Sequence, residues 1–462
     1  MQIFTYLVFK KIKKTTVSFE PFSNHYRTTF DQFDKIAIKI TIKISIKKKT
    51  RSFQRKTVNF LFTMAGRSLN KAVYIVGGKR TAFGAYGGSL KSMTAMQMQV
   101  AAAKGALEQA NLSAEHIDSV VVGNVIQSDP ACPYVARHTA LHLGCNMATP
   151  ALTVNRLCGS GFQSVIDIAN EIELGVARTG IAGGTESMSG TPHAVYGHRF
   201  GVKLGADMKL VDVLWAGLSD NYIKLPMGVT AENLAEKYDI SREDADALAM
   251  RTQQRWGAAN EAGIFADEIT PIQIKVKGKM VDFMVDEHAR PSVTMAQLGK
   301  LPSVFKKGGA VSPGNASGVS DGAGAIVLAG EDAVKQHGLK PIARLVGYSY
   351  VGVDPSIMGI GPVPAIEQLL KNAGLNRDQV GIYDINEAFA PQFLACEKAL
   401  ELDSAKTNVC GGAIALGHPL AASGSRIVAH LSHALQRTGE QYAVGSACIG
   451  GGQGIAVLLE RC

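Results

Sequence analysis

Residues 107–117, LEQANLSAEHI, are followed 263 positions later by a related stretch, LKNAGLNRDQV, at residues 370–380. Three leucine or alanine positions are identical, and an acidic and a β-branched residue align at two more, in the pairs Leu107/Leu370, Ala110/Ala373, Leu112/Leu375, Glu115/Asp378 and Ile117/Val380. After each stretch the apolar spacing predicts the same order of elements: strand, glycine-rich turn, helix, strand. These elements are Leu152–Ile172 with Gly180–Gly184 in the first half, and Thr407–Leu435 with Val444–Gly452 in the second. The shared order predicts a duplicated chain whose two halves bury one face against each other in a layered α/β fold.

The sequence between the two halves differs from both of them. From about residue 189 to residue 312 it is richer in charged residues. The elements that its apolar spacing predicts are two helices, Ala231–Lys237 and Glu243–Ala262, and a strand, Ile272–Val276. We therefore expect an inserted loop domain here. A strand–turn–strand is predicted for the apolar stretch Tyr442–Leu459, because its glycines would break a membrane-spanning helix.

Composition and charge exclude several classes of protein. The 462 residues are 46% apolar, which is typical of a globular protein with more than one domain. Residues 1–63 hold fourteen basic and three acidic residues, a net charge of +11, so of the whole chain's +9 the remaining residues carry −2. Nucleic-acid binding by residues 64–462 is therefore not expected, and neither is membrane association. Seven cysteines without a CxxC pair argue against a disulfide framework and favour a reducing compartment.

The first 63 residues are unlike the rest of the chain. Isoleucine alternates with other residues from Ile36 to Ile46, a strand-like period that differs from the amphipathic helix of a typical mitochondrial transit peptide. Met64 then opens a stretch typical of the start of a globular domain. We predict that residues 1–63 are a leader or a mis-assigned start. The alternative is a basic targeting or surface-binding arm.

The first motif with catalytic potential is NRLCGSG, residues 155–161. Cys158 lies between a predicted strand and a glycine-rich helix start, where free backbone N–H groups and the helix dipole favour a thiolate. The flanking glycines allow a ligand to approach closely. A nucleophile is the preferred interpretation, and a small buried cysteine is the alternative.

Three further loops carry candidate residues. His418, in GGAIALGHP (411–419), could take a thiol proton and later donate a hydrogen bond, or it could be a surface turn histidine. Cys448, in CIGGGQG (448–454), is a second thiol at a strand end, followed by backbone N–H groups that could form an oxyanion hole. It could also be a buried structural cysteine. Asn386, in NEAF (386–389), is expected to begin a helix as its N-cap, a role compatible with holding a catalytic water.

Together these motifs resemble the thiolase family, and the resemblance runs from about Lys71 to the C-terminus. The motifs that carry it are GGTESMS (183–189), GNASGVSDGAG (314–324), NEAFAP (386–391), GGAIALGHP and CIGGGQG. Within the family, NRLCGSGFQS, DEHARP (286–291) and CIGGGQG are similar to mitochondrial members that act in fatty-acid β-oxidation. The resemblance implies a five-layered αβαβα fold of two duplicated halves with a loop domain. It also implies a domain division: 68–190 plus 317–338 for the first half, 191–316 for the loop domain and 339–462 for the second half.

The resemblance also implies a reaction and roles for the site residues. Cys158, activated by His418, would attack the 3-keto carbon of a 3-ketoacyl-CoA, and Cys448 would act as acid and then as base during transfer of the acyl group to CoA. His418 with a water held by Asn386 would form one oxyanion hole, and the backbone N–H groups of Cys158 and Gly450 the other. CoA is then a co-substrate, and no tightly bound cofactor or metal is expected.

For CoA itself the family pattern points to two residues. Arg290 would lie near the nucleotide phosphates, to which its fork of donors is suited, and Ser317 near the pantetheine. Relatives carry threonine where this chain has Val293, so the resemblance does not carry over one side-chain hydrogen bond to CoA. The histidine pairs His138/His142 and His430/His433 have helical spacing, but neither has a third metal ligand in view.

The resemblance leaves rival functions open. An acetoacetyl-CoA thiolase uses the same machinery, and a non-catalytic scaffold of the same fold is a further alternative. A carrier-protein ketoacyl synthase is disfavoured by the thiol of Cys448. The resemblance further implies a homodimer or homotetramer and a mitochondrial matrix location.

Overall fold

Sixteen strands are present in the computed structural model, which describes residues 67–462. They are β1 (Arg67–Arg80), β2 (Gly84–Ala85), β3 (Ser119–Gly123), β4 (Ala151–Val154), β5 (Thr179–Ser187), β6 (His193–Ala194), β7 (Val211–Asp212), β8 (Ser219–Asp220), β9 (Leu225–Pro226), β10 (Ile272–Val276), β11 (Lys279–Phe283), β12 (Ser320–Gly330), β13 (Ala343–Gly352), β14 (Ile382–Ile385), β15 (Tyr442–Ile449) and β16 (Gln453–Glu460). Ten of them form one sheet: nine follow the path β14-β15-β16-β13-β1-β12-β5-β3-β4, and β2 pairs with β12 off this path. The other six form three two-stranded ribbons, β6 with β7, β8 with β9 and β10 with β11.

Twelve α-helices connect and cover these strands within the same residues. They are α1 (Ala95–Ala110), α2 (Val135–Leu143), α3 (Ser160–Leu174), α4 (Val213–Gly217), α5 (Met227–Lys237), α6 (Arg242–Glu261), α7 (Met295–Leu298), α8 (Glu331–His337), α9 (Pro362–Ala373), α10 (Ala390–Ala399), α11 (Ala413–Leu416) and α12 (Ala422–Thr438). None of the helices between residues 67 and 462 combines the length and the apolar character that a membrane crossing needs. The isoleucine alternation at residues 36–46 lies outside the described residues.

The duplication predicted from the sequence is confirmed. The sheet path consists of two halves joined where β1 pairs antiparallel with β13. Strands β14 and β15 begin 263 positions after β3 and β5, respectively, which is the same shift that aligns the two sequence stretches. The helix ends at Asn111 and Gly374 are related by the same shift, and both residues have positive φ, 51° and 69°.

The two faces of the strands explain the layers. Along β12, Ala325 and Val327 belong to a core cluster with α1, whereas Ile326 and Leu328 belong to a second cluster with α3 and α12. On β16, Ile455 and Val457 face that second cluster, and Leu458 faces a third cluster that includes α9. Two helices, α3 and α12, therefore lie between the halves of the sheet, and α1 and α9 cover the outer faces. This is the predicted five-layered αβαβα fold.

The two central helices cross with their backbones in contact. A Cβ atom added to Gly161 of α3 would lie 2.5 Å from the carbonyl oxygen of Ala421, and one added to Gly424 of α12 would lie 2.3 Å from the backbone nitrogen of Phe162. Neither position has room for a methyl group without movement of the main chain. The crossing brings together the loops that precede the two helices, and these loops carry Cys158 and His418.

A buried ionic network ties the segment between the halves to the frame. The Arg80 guanidinium is fully buried and binds the carboxylates of Glu268 and Asp286, each at 2.7 Å. Glu268 also contacts His430 Nδ1 of α12 at 2.7 Å. Burial lowers the pKa of His430, but the charge and hydrogen bond of Glu268, together with a hydrogen bond and charge from Cys410, outweigh burial and raise that pKa to about 10. The elements predicted for this segment are present as β10, α5 and α6, while its limits as a domain, 191–316, stay a prediction.

Candidate active site

Cys158 lies in a tight turn between β4 and α3. Strand β4 ends at Val154, because the Asn155 side chain accepts the Leu157 N–H at 2.9 Å and turns the chain. Leu157 has a positive φ of 47°, a conformation that non-glycine residues rarely adopt and that is found preferentially at functional sites. Gly159 is the N-cap of α3. The predicted placement of Cys158, after a strand and before a helix, is confirmed.

The electrostatics of this thiol differ from the expectation. Burial raises the pKa of Cys158 to about 11, and the nearby Glu186 carboxylate adds to the rise. Backbone N–H groups of Gly450 and of Cys158 itself are directed at the sulfur and lower the pKa, but by less. The prediction that the helix start would favour a thiolate is therefore wrong for the free site, because desolvation outweighs the backbone N–H groups directed at the sulfur. The thiol needs a base to ionise it.

His418 is the residue expected to act as this base. Its ring follows α11 and is only 6% exposed, so the alternative of a surface turn histidine is wrong. The backbone N–H of His418 is bound by Ser320 Oγ and by the Gly318 carbonyl, each at 2.9 Å. Burial lowers the pKa of His418 to about 4, and the Arg426 guanidinium contributes to the decrease. The ring is therefore neutral at physiological pH and free to accept a proton.

Asn386 directs its amide at this ring. The Nδ2 atom lies 3.4 Å from His418 Nε2, while the Oδ1 atom is buried and has no hydrogen-bond partner within residues 67–462. An unpaired buried acceptor of this kind fits a bound water. The prediction that Asn386 is a helix N-cap is wrong: its N–H continues the sheet by bonding to the Ser446 carbonyl, and α10 begins at Ala390. Pro391 in the first turn explains that start.

Cys448 and Gly450 lie close to Cys158. Cys448 is buried near the end of β15, against Met358 and Ala388. Burial raises the pKa of its thiol well above the usual value, and the proximity of Cys158 raises it further. Gly450 opens the turn to β16, with its position facing Leu157. The structure therefore places Cys448 and Gly450 beside Cys158, and Asn386 beside His418, although the sequence separates these residues by up to 292 positions.

Two buried carboxylates next to the site were not assigned from the sequence. Glu186 of the GGTESMS motif accepts the N–H groups of Ile126 and Ala421 at 2.9 and 3.1 Å, so it ties the first half to the loop after His418. Glu387 of NEAF accepts from the Asn408 amide at 2.9 Å and the Thr252 hydroxyl at 3.0 Å. The sequence did contain a signal for Glu186, because it is the one charged residue in the glycine-containing motif GGTESMS.

The residues expected at CoA lie on adjoining loops. Ser317 donates its hydroxyl to the Ala388 carbonyl at 2.9 Å, beside the cluster around Cys448. The ring of His288 packs against Gly318, the next residue along the chain. Arg290 is exposed, and its guanidinium lies on backbone carbonyls of its own loop, with the nearest, Ala289, at 2.7 Å.

The histidine pairs have other partners. His430 binds Glu268, and His433 Nε2 lies 3.0 Å from the Gly78 carbonyl. His138 of α2 stacks on Tyr134. Among residues 67–462 there is no group of three or more histidine, cysteine, aspartate or glutamate side chains that could hold a metal ion.

Family models account for almost all of the described residues. The N-terminal domain model of the thiolases matches residues 73–332, and the C-terminal domain model matches residues 339–461. The chain therefore belongs to the thiolase family.

The similar members of that family include mitochondrial 3-ketoacyl-CoA thiolases. The mouse protein of that name is 59% identical over 394 residues, which cover 85% of this chain and 99% of the mouse protein. The crystal structure of human mitochondrial 3-ketoacyl-CoA thiolase superposes with a TM-score of 0.85 at 57% identity, covering 86% of this chain and 100% of the human chain. A structure of the human enzyme in complex with CoA gives a TM-score of 0.84 at the same identity, covering 86% and 99%.

Proposed function

We propose that this thiolase cleaves 3-ketoacyl-CoA with CoA, giving acetyl-CoA and a shortened acyl-CoA, in fatty-acid β-oxidation. The observation that carries the proposal is the 59% identity to the mouse enzyme over almost its whole length. The site supports it, because two thiols, one partly and one fully buried, and one neutral histidine are the groups that a two-step acyl transfer requires. The enzyme is an acyltransferase.

In the first half-reaction His418 takes the proton of the Cys158 thiol. The thiolate attacks the 3-keto carbon and forms a carbon–sulfur bond. The bond between carbons 2 and 3 then breaks, and its electron pair leaves with the acetyl-CoA enolate. Cys448 donates its proton to carbon 2 of the enolate, which releases acetyl-CoA and leaves an acyl group on Cys158. Separate thiols suit this step, because the nucleophile and the acid act at different carbons.

In the second half-reaction the Cys448 thiolate takes the proton of the incoming CoA thiol. The CoA sulfur attacks the acyl carbonyl, the bond to Cys158 breaks, and His418 returns the proton to the leaving sulfur. Negative charge develops on carbonyl oxygens of the substrate, and two oxyanion holes would stabilise it. The N–H groups of Cys158 and Gly450 would form one of them, and His418 with a water held by Asn386 the other. The N–H groups directed at Cys158 sulfur, and the unpaired Asn386 oxygen, support this division.

The first test is CoA-dependent cleavage by the purified chain, with acetoacetyl-CoA compared against medium- and long-chain 3-ketoacyl-CoA. We expect the longer substrates to be cleaved with the higher kcat/KM, and a chain starting at Met64 to behave in the same way. Activity confined to acetoacetyl-CoA would instead identify an acetoacetyl-CoA thiolase. A folded protein that cleaves none of the substrates would favour the non-catalytic scaffold.

We propose that Arg290 and Ser317 contact CoA. Replacing Arg290 with alanine is expected to raise KM for CoA about 5- to 30-fold with little change in kcat, because a charge-assisted hydrogen bond to phosphate contributes about 1–2 kcal/mol. Steady-state kinetics with varied CoA measures both constants. Arg178→Ala is the matched control, because Arg178 is exposed and pairs with Asp118 on the first half. An unchanged KM for CoA in the Arg290 variant would remove this residue from the CoA site.

We also propose a mitochondrial matrix location and a homodimer or homotetramer. The names of the similar proteins support a mitochondrion. Strand β4 supports self-association, because it forms one end of the sheet path and carries Leu152, which is 52% exposed. The domain division given above for residues 68–462 remains part of this proposal.

A further inference from the structure

The ring of His418 has a close partner that the mechanism above does not use. Ser423, in the first turn of α12, places its hydroxyl oxygen 2.6 Å from His418 Nδ1. The same oxygen lies 3.2 Å from the carbonyl oxygen of Pro419. Ser423 is 1% exposed, so water does not compete for these contacts.

The surroundings of the ring decide which nitrogen holds its single proton. Asn386 Nδ2 lies 3.4 Å from Nε2 and 3.5 Å from Nδ1, so this amide does not distinguish the two ring nitrogens. Ser423 does, because it contacts Nδ1 alone. When the serine hydroxyl donates its only hydrogen to the Pro419 carbonyl, its oxygen can accept a hydrogen bond from a protonated Nδ1, which leaves Nε2 without a proton.

We propose that Ser423 is a positioning residue that holds His418 in the Nδ1–H tautomer, so that Nε2 is free to take the proton of Cys158. This inference rests on the proposed role of His418 as the base. Ser423 touches His418 and not the reacting carbons, and it acts through the ring alone.

A neutral hydroxyl suits this role better than a carboxylate. A carboxylate at Nδ1 would stabilise the imidazolium and keep the ring protonated before the reaction starts. The charged groups nearest this loop leave the ring neutral: Arg426 lies on the same helix and is paired with Asp384 at 2.6 Å, and Glu186 is occupied by backbone N–H groups that include Ala421. The lowered pKa of His418 agrees with this arrangement.

The test compares two rates in the full-length Ser423→Ala variant. We expect kcat for 3-ketoacyl-CoA thiolysis to fall about 10- to 100-fold with KM for CoA changed less than about twofold, because a buried N–H loses its acceptor. Alkylation of Cys158 by iodoacetamide at pH 7, without any substrate, should slow by a similar factor. Ser423→Thr keeps a hydroxyl and should restore most of both rates. Ser423→Cys fills the same space with a weak acceptor and should show the same slowing if the alanine variant does not fold.

Ser432→Ala is the matched control. Ser432 is buried on the same helix and donates to the Val428 carbonyl at 2.8 Å, so its loss should leave both rates within about twofold. Unchanged alkylation in a folded Ser423→Ala or Ser423→Cys variant would overturn the inference, as would a folded Ser423→Thr variant that restores neither rate. The alkylation assay uses no acyl-CoA, so it still tests Ser423 if the wild-type chain proves not to cleave 3-ketoacyl-CoA.

Discussion

Replacing Cys448 with alanine is expected to abolish thiolysis while Cys158 still accepts an acyl group from an activated thioester. Thiolysis should fall about 10²- to 10⁴-fold, the usual contribution of a general acid or base. The enolate of acetyl-CoA is a poor leaving group unless it is protonated, and the CoA thiol is a poor nucleophile until it loses its proton. A nitrothiophenyl thioester releases a stable thiolate, so acylation of Cys158 by it needs neither an acid to protonate the leaving group nor a base to deprotonate CoA. Thiolase assays and intact-protein mass spectrometry of the acyl adduct measure the two outcomes.

A neighbouring thiol provides the control for this variant. Cys396 is fully buried close to Cys448, and its sulfur contacts the Gly359 carbonyl at 3.3 Å. We expect Cys396→Ala to retain thiolysis within about threefold. Full thiolytic turnover by Cys448→Ala would contradict the assignment of acid and base to Cys448, and failure of a folded variant to form the adduct would contradict the separation of the two roles.

Replacing Cys158 with alanine is expected to remove thiolysis and the acyl adduct together. The loss should be roughly 10⁶-fold, the scale seen when a covalent nucleophile is removed, so turnover should fall below detection. Cys158→Ser should be almost as inactive, because a hydroxyl is much harder to ionise than a thiol whose pKa is already raised by burial. The assays are the same as those used for Cys448→Ala.

The fold of the Cys158 variants must be intact for this result to count. Cys158 packs at the edge of a small apolar cluster with Leu420, so alanine should change the free energy of unfolding by no more than about 1–2 kcal/mol. Urea unfolding and CoA binding by calorimetry test that expectation. An adduct on another cysteine, with turnover preserved, would move the nucleophile away from residue 158.

Much of the architecture could be predicted because it depends on local pattern. The ribbon strand Ile272–Val276 has the predicted limits. The pair of strands within Tyr442–Glu460 follows from apolar runs interrupted by glycine. The duplication was visible from one short aligned stretch and from the order of elements around it.

The errors arose where tertiary contacts override local signals. Asn386 has the chemistry of an N-cap, yet a backbone bond to Ser446 keeps it in the sheet. The Cys158 thiol lies at a helix start that favours ionisation, yet the chain buries it and reverses the balance. Ser423 could not be singled out from the sequence. It contacts the His418 ring only because the loop that begins at residue 418 folds back against the first turn of α12.

The crossing of α3 and α12 has a consequence for protein engineering. Exchanging a helical glycine for alanine is a standard way to raise thermal stability, with a typical gain of about 0.5–1 kcal/mol per site. At Gly161 and Gly424 a propensity table would recommend that exchange. A methyl group at either residue would wedge the two main chains apart and separate the loops that hold Cys158 and His418. The distance between the loops of the nucleophile and its base therefore depends on the absence of side chains at two residues that take no part in the reaction. Libraries meant to stabilise this chain should leave both glycines unchanged.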